Sequence, residues 1–270
     1  MPALPHPWTL GEPLAPLLRQ WEALSRGTEL GTPLHHQPAA MLTLLDRRRH
    51  IGPLLQGELP CLLCPEEQER LIAMRRSDDR ERFLLAHGAL RLLLGAIAGR
   101  PADQVAIQRH PGGKPHQPDG PLFSLAHSGD LVLLGLHPVL EVGVDVERPR
   151  PGLRWRAIAR RVLSNAERQR LETIPAHHRE QRFLEAWCGI EARLKARGCG
   201  LEGLSVLCAQ PPDTKERVWT LSMPAGYAGA LAVTERGPAT APENQPGSES
   251  RSDSNDAVPG INIERLSGDA

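Results

Sequence analysis

Aromatic residues are scarce: three Phe, one Tyr and five Trp make up 3% of 270 residues. A core built from this chain must therefore rest on leucine, valine and alanine. A single-stranded nucleic-acid platform, which needs stacked aromatic faces, is disfavoured. Excess charge of either sign is also absent. Lys plus Arg (32) equals Asp plus Glu (32), for a formal net charge of zero, which argues against a general nucleic-acid or membrane-surface binder. Cysteine is sparse and odd in number, at five. The opening MPALPHPWTL has neither a positive leader nor an apolar h-region. These features lead us to expect reduced thiols and a cytoplasmic protein. No apolar run approaches the roughly 18 residues that span a bilayer; the longest, near Leu92 to Ala98, is far shorter. G-x-S-x-G, P-loop and G-x-G-x-x-G signatures are missing, as are internal repeats.

What is present is a patterned body between two irregular ends. Hydrophobic residues at 40% and charged residues at 24% fit a soluble globule. Twenty-six prolines are about twice the usual share. Residues 1–45 read as a proline-rich extension, with a short helix near Leu17 to Leu24. Residues 237–270, rich in Gly, Pro, Ser, Asn and Asp, read as a disordered tail. Between them, Pro65 to Arg76 and Asp78 to Gly99 carry helical spacing, Ser77 being the expected N-cap of the second helix. Gln104–Arg109, Leu122–His127, Leu131–His137 and Val142–Glu147 read as strands separated by turn signals. After RPRPG (148–152) the pattern turns helical, with a capping box at Ser164 and Glu167 and a long helix over His178–Arg197. Strands are expected at Leu204–Gln210, Arg217–Met223 and Tyr227–Thr234. Helix then strands, twice over, implies an α+β fold with halves at 46–145 and 146–236.

Three features carry chemistry. In Gly143-Val144-Asp145-Val146-Glu147, strand alternation sends the valines to one face and the two acids to the other, about 7 Å apart. That spacing lets two carboxylates hold a hard divalent cation, although acids at a solvated strand end beside Arg148 and Arg150 give the same pattern. On the expected long helix, Phe183, Trp187, Ile190 and Leu194 form the buried stripe, and Glu191 and Lys195 stand one turn apart. They are either an ordinary surface pair, or a third carboxylate with a lysine facing an anionic substrate. Lys114 and His127 sit on loops beside strand ends, where they are suited to a phosphate or simply solvated. Arg75, Arg76, Arg80, Arg82 and Arg91 extend that basic set. Cys61-Leu-Leu-Cys64 lacks a second pair and does not read as a zinc site.

Taken in this order, these residues resemble the 4′-phosphopantetheinyl transferase superfamily, in its larger two-half, surfactin-synthetase-activating (Sfp) type. GVDVE (143–147) matches the family's G-[IV]-D-x-E. WCGIEARLKARGCGL (187–201) matches its W-[ST]-x-K-E-x-x-x-K-x-x-G-x-G-L at Trp187, Glu191, Lys195, Gly198, Gly200 and Leu201. GKP (113–115) and FSLAHSGD (123–130) resemble its coenzyme-A-binding segment. The resemblance implies two pseudo-two-fold-related halves, each a helix on a small, mainly antiparallel sheet, joined in a monomer. It implies transfer of the 4′-phosphopantetheine arm of coenzyme A to a serine of an acyl or peptidyl carrier protein, with release of 3′,5′-ADP. It places Mg²⁺ on Asp145, Glu147 and Glu191, makes Glu191 the base and Lys195 the charge-offsetting group, and gives Lys114, His127, Arg75 and Arg91 to coenzyme A. Three positions depart from the pattern: Ile190 replaces a lysine, Cys188 a small hydroxyl residue, and Ala126 the hydroxyl donor many relatives carry. Two other readings remain: a non-catalytic relative that binds coenzyme A or carrier proteins, and a Mg²⁺-dependent hydrolase using the same acids.

Overall fold

The computed structural model describes residues 18–19, 21–22, 25, 40–55, 62–110, 113–200, 203–204, 207 and 215–235. The expected tail and most of the expected extension lie outside these residues. The chain order is β1 (Met41–Asp46), α1 (Arg47–Leu55), α2 (Pro65–Ala73), α3 (Ser77–Ala98), β2 (Gln108–Arg109), β3 (Pro115–His116), β4 (Leu122–Ser128), β5 (Leu131–His137) and β6 (Glu141–Glu147). Then come α4 (Trp155–Val162), α5 (Asn165–Thr173), α6 (Arg179–Ala196), β7 (Glu216–Thr220) and β8 (Ala228–Thr234). The fold is α+β. One three-stranded antiparallel sheet has the order β1-β5-β4, a second has β6-β8-β7, and β2-β3 is a small ribbon. In both larger sheets the strand latest in sequence lies in the middle.

Strand alternation divides the apolar residues among three clusters. Phe83, Leu90, Leu93 and Leu94 of α3 pack on Phe123 and Leu125 of β4 and on Leu134 and Leu136 of β5. Phe183, Leu184, Trp187 and Leu194 of α6 pack with Trp155 and Ile158 and with Ala228, Ala230 and Ala232 of β8. Val142, Val144 and Val146 face the opposite way and join Leu42, Ala126, Leu131, Leu133, Leu231 and Val233. Two sheets therefore meet through their inner faces, and each carries a long helix on its outer face. Burying each such leucine or valine contributes about 1.5–3 kcal/mol, so the paucity of aromatics is no obstacle.

Several boundaries differ from the sequence reading for physical reasons. Met41–Asp46, mostly placed in the extension by its prolines and weak periodicity, is a strand paired in register with β5. Met41 and Leu45 join the α3 cluster while Leu42 and Leu44 join the cluster between the sheets. Apolar residues on both faces erase the period of two that marks a half-exposed strand. The expected 46–145 and 146–236 division cuts through β6, which pairs with β8 along its whole length. Only Gln108 and Arg109 of the segment 104–109 are strand. Leu204 and Leu207, expected to be strand, are helical. Arg76, not Ser77, holds the N-cap position of α3. The Ser164–Glu167 capping box is formed as expected.

Candidate active site

The site begins with a close approach. Gly143 of β6 lies against α6, where a Cβ would stand 1.9 Å from the Ala192 carbonyl oxygen. With no side chain in the way, the face of β6 that carries Asp145 and Glu147 is drawn under the helix face that carries Cys188, Glu191 and Lys195. These three are spaced at i, i+3 and i+7, one stripe of a helix. Asp145, Glu147 and Glu191 are all buried, at 3%, 5% and 1% exposure.

Lys195 is central to the arrangement. Its Nζ lies 2.7 Å from Asp145 Oδ1 and 3.6 Å from Glu191 Oε2. Glu147 is held separately: the Ser128 hydroxyl donates to its Oε2 at 2.9 Å, and Arg150 Nη2 is 3.7 Å away. Burial, then repulsion from Asp145, pushes the Glu147 carboxyl up to about 7. Burial and the same neighbour push Glu191 well above the usual carboxylate range, against the pull of Lys195. Asp145 and Glu191 hold the Lys195 ammonium charged, raising its pKa despite burial. Burial, Asp145 and Glu147 keep the Cys188 thiol protonated.

Three buried carboxyl groups share this pocket with a single lysine. Asp145 Oδ2 and both carboxylate oxygens of Glu191 are buried without a hydrogen-bond partner, a costly state for ionised groups. Among the described residues no three His, Cys, Asp or Glu side chains stand formed as a metal cluster; the ammonium of Lys195 lies between two of the acids. The donor set nevertheless suits a hard cation, being all carboxylate oxygen, and the three unpartnered oxygens are the acceptors such an ion would satisfy.

His127, on β4, has an exposed side chain. Protein atoms around the ring, and then Arg82, Lys195 and His87, favour its neutral form. Three other residues read from sequence as ligands of coenzyme A have different surroundings. Lys114 spends its ammonium inside the protein, 2.5 Å from Glu141 Oε2 and 3.1 Å from the carbonyls of Val142 and Ala196. Arg91 is 2% exposed, paired with Glu67 and donating to the Val105 carbonyl. Arg75 is exposed between α2 and α3 and makes no hydrogen bond or ion pair among the described residues. Ile190, where the family has lysine, is half-buried and packs into the α6 cluster. The Ser128 contact to Glu147 was not foreseen; strand alternation, which puts Ser124, Ala126 and Ser128 on one face of β4, was the available signal.

The family model of the 4′-phosphopantetheinyl transferase superfamily matches residues 141–232. A Synechocystis sp. protein assigned as a 4′-phosphopantetheinyl transferase is 35% identical over 171 residues, covering 62% of this chain and 67% of its own. The chain belongs to the 4′-phosphopantetheinyl transferase superfamily. Two further relatives are the transferase HetI of Nostoc sp., 32% identical over 60% of this chain and 74% of its own, and AcpT of Escherichia coli, 39% identical over 32% and 45%. The matched superfamily segment spans β6 and α6, which carry Asp145, Glu147, Glu191 and Lys195. Among the described residues no helix is long and apolar enough to cross a membrane.

Proposed function

We propose that this protein transfers the 4′-phosphopantetheine arm of coenzyme A to a serine hydroxyl of an acyl or peptidyl carrier protein. The observation that carries the reading is the buried carboxylate group on the superfamily's own motif, with three oxygens unpartnered. In the balanced reaction the serine oxygen bonds to the phosphorus that bears the pantetheine. The phosphoanhydride bond of coenzyme A breaks, and 3′,5′-ADP leaves. Asp145, Glu147 and Glu191 are the residues that would hold a divalent cation, Mg²⁺ in our reading. When bound it supplies charge neutralisation at the diphosphate.

The chain's own groups account for the remaining requirements. Glu191 takes the serine proton as a carboxylate whose two oxygens have no hydrogen-bond donor to satisfy them. Lys195, held charged, offsets the negative charge that builds on the leaving phosphate. His127, exposed on β4, offers a polar contact to the phosphates of the coenzyme. We read the chain as the Sfp type, a monomer with two pseudo-two-fold-related halves. The recurring strand order, first-third-second in each sheet, supports that reading. The thiols of Cys64 and Cys188, outside any disulfide, accord with a cytoplasmic setting.

The test is incubation with coenzyme A, MgCl₂ and a panel of apo carrier proteins, followed by mass spectrometry. Gain of one phosphopantetheine arm by a carrier supports the transferase. Coenzyme A bound without transfer would favour a non-catalytic relative, and coenzyme A cleaved without an acceptor would favour a hydrolase.

A further inference from the structure

β8 pairs with one edge of β6, so the backbone groups on the other edge need partners from elsewhere. Side chains of the first sheet and its neighbouring loop supply them. Ser124 Oγ accepts from the Val144 N–H at 3.1 Å, Ser128 Oγ accepts from the Arg148 N–H at 3.1 Å, and Lys114 donates to the Val142 carbonyl. Ser124 and Ser128 lie four residues apart on β4, on the same face, and serve the same edge. They differ in one respect. The Ser128 hydroxyl, with an acceptor site used by Arg148, also donates to Glu147 Oε2 at 2.9 Å. Ser128 is 7% exposed and Glu147 is 5% exposed, so water does not compete freely for this bond.

We propose that Ser128 is a positioning residue for Glu147, fixing from the neighbouring sheet the direction in which that carboxylate is offered to a divalent cation, while Ser124 only closes the strand edge. The proposal rests on the transferase reading above and assigns a role to a hydroxyl outside the acid group. A partner that orients a metal-binding carboxylate typically changes metal affinity by about 10–100-fold when removed.

The experiment uses the full chain with Mn²⁺ alone as the probe, the free ion being counted by electron paramagnetic resonance without coenzyme A. Ser128→Ala should weaken Mn²⁺ binding by about tenfold. Ser128→Thr, which keeps the hydroxyl, should bind as the parent does, and Ser124→Ala should lie within about twofold of it, an edge cap alone having no route to the metal. In the transfer assay, Ser128→Ala should raise the Mg²⁺ concentration needed for half activity and leave kcat at saturating Mg²⁺ within about threefold. Parental Mn²⁺ affinity in Ser128→Ala, or equal losses in Ser124→Ala and Ser128→Ala, would overturn the proposal while leaving the transferase intact. A parent that neither binds Mn²⁺ nor loads a carrier would overturn both. If Ser128→Ala does not fold, Ser128→Cys, similar in size but a weak donor, takes its place with the same expected loss.

Discussion

Gly143 and the Ala192 carbonyl are packed so closely that a single methyl group on the strand would stand 1.9 Å from that oxygen and 2.4 Å from the Ala196 nitrogen. Neither neighbour can yield cheaply, since both are backbone atoms of α6. Gly143→Ala should therefore push the helix off the sheet and carry Glu191 and Lys195 with it. Overpacking of this kind costs about 1–3 kcal/mol, a drop of a few degrees in Tm. Activity should suffer more, by about 10²-fold, because displacing reacting groups by about 1 Å is enough for that loss. Thermal melts beside carrier-loading rates would check it. A variant with lowered Tm and parental kcat would show that the acids do not depend on this contact.

Glu191 separates stability from activity. Both of its oxygens are buried without hydrogen-bond partners, and repulsion from Asp145 and Glu147 adds to the cost of its charge. Glu191→Gln keeps the shape and removes the cost of burying a carboxyl that must either take up a proton or carry a charge there. In buffer with a chelator, the variant should be more stable than the parent by about 1 kcal/mol or more. Carrier loading should fall by at least about 10²-fold through loss of the base. A parallel loss of Tm and of activity would mean that the carboxylate is part of the scaffold and not of the chemistry.

The helix and strand that bear the acids were legible because each has one apolar face and a motif on the other: Val142, Val144 and Val146 enter the core between the sheets while Asp145 and Glu147 turn to α6. β1 was not legible, because both its faces are covered. The basic residues were legible as charges but not as contacts. Lys114 and Arg91 look in sequence like Lys195, and what separates them is which remote acid each meets: Glu141 and Glu67, 27 and 24 residues away, against Asp145, 50 away, for Lys195. Such pairings arise only when strands and helices are brought together, and no local pattern encodes them.

Two buried groups remote from the acids predict a stepwise loss of stability in acid. His137 is fully buried, and its Nδ1 accepts from the Val139 and Leu140 N–H groups. Burial lowers its pKa from 6.5 to about 4. The neutral ring therefore contributes fully above pH 6.5, and its contribution fades as pH falls toward 4. Glu67 would be raised by burial alone, but His87 and Arg91 outweigh that and bring it from 4.5 to about 2. Its contribution is complete above pH 4.5 and fades toward pH 2. Each shift is worth on the order of 3 kcal/mol. Melting temperature against pH should fall first below about 6.5, and His137→Asn, which keeps an acceptor near the Nδ1 position, should flatten that first step alone. Glu67→Gln should flatten the lower step and reduce stability at neutral pH. A melting temperature constant from pH 7 to 4 would contradict the His137 assignment, and one in which Glu67→Gln and the parent lose stability equally from pH 4.5 to 2 would contradict the Glu67 assignment.

Lys114 offers the sharpest contrast between a charge that binds substrate and one that holds the fold. Its ammonium is shared among Glu141, Val142 and Ala196, tying the loop after β2 to the edge of β6 and the end of α6. Burial lowers its pKa against the pull of Glu141. Lys114→Met strands the Glu141 carboxylate and should cost about 3–5 kcal/mol, whereas Lys114→Met with Glu141→Gln removes the stranded charge and should regain more than half of that loss. The double variant then isolates the question of substrate. If the lysine is structural, its KM for coenzyme A should stay within about threefold of the parent's, since uniform binding energy is unaffected. A lysine that contacts a phosphate in the bound coenzyme would instead raise KM by about tenfold or more in single and double variants alike, whatever the Tm. Melting curves and steady-state kinetics on the parent, both single variants and the double variant decide between the two.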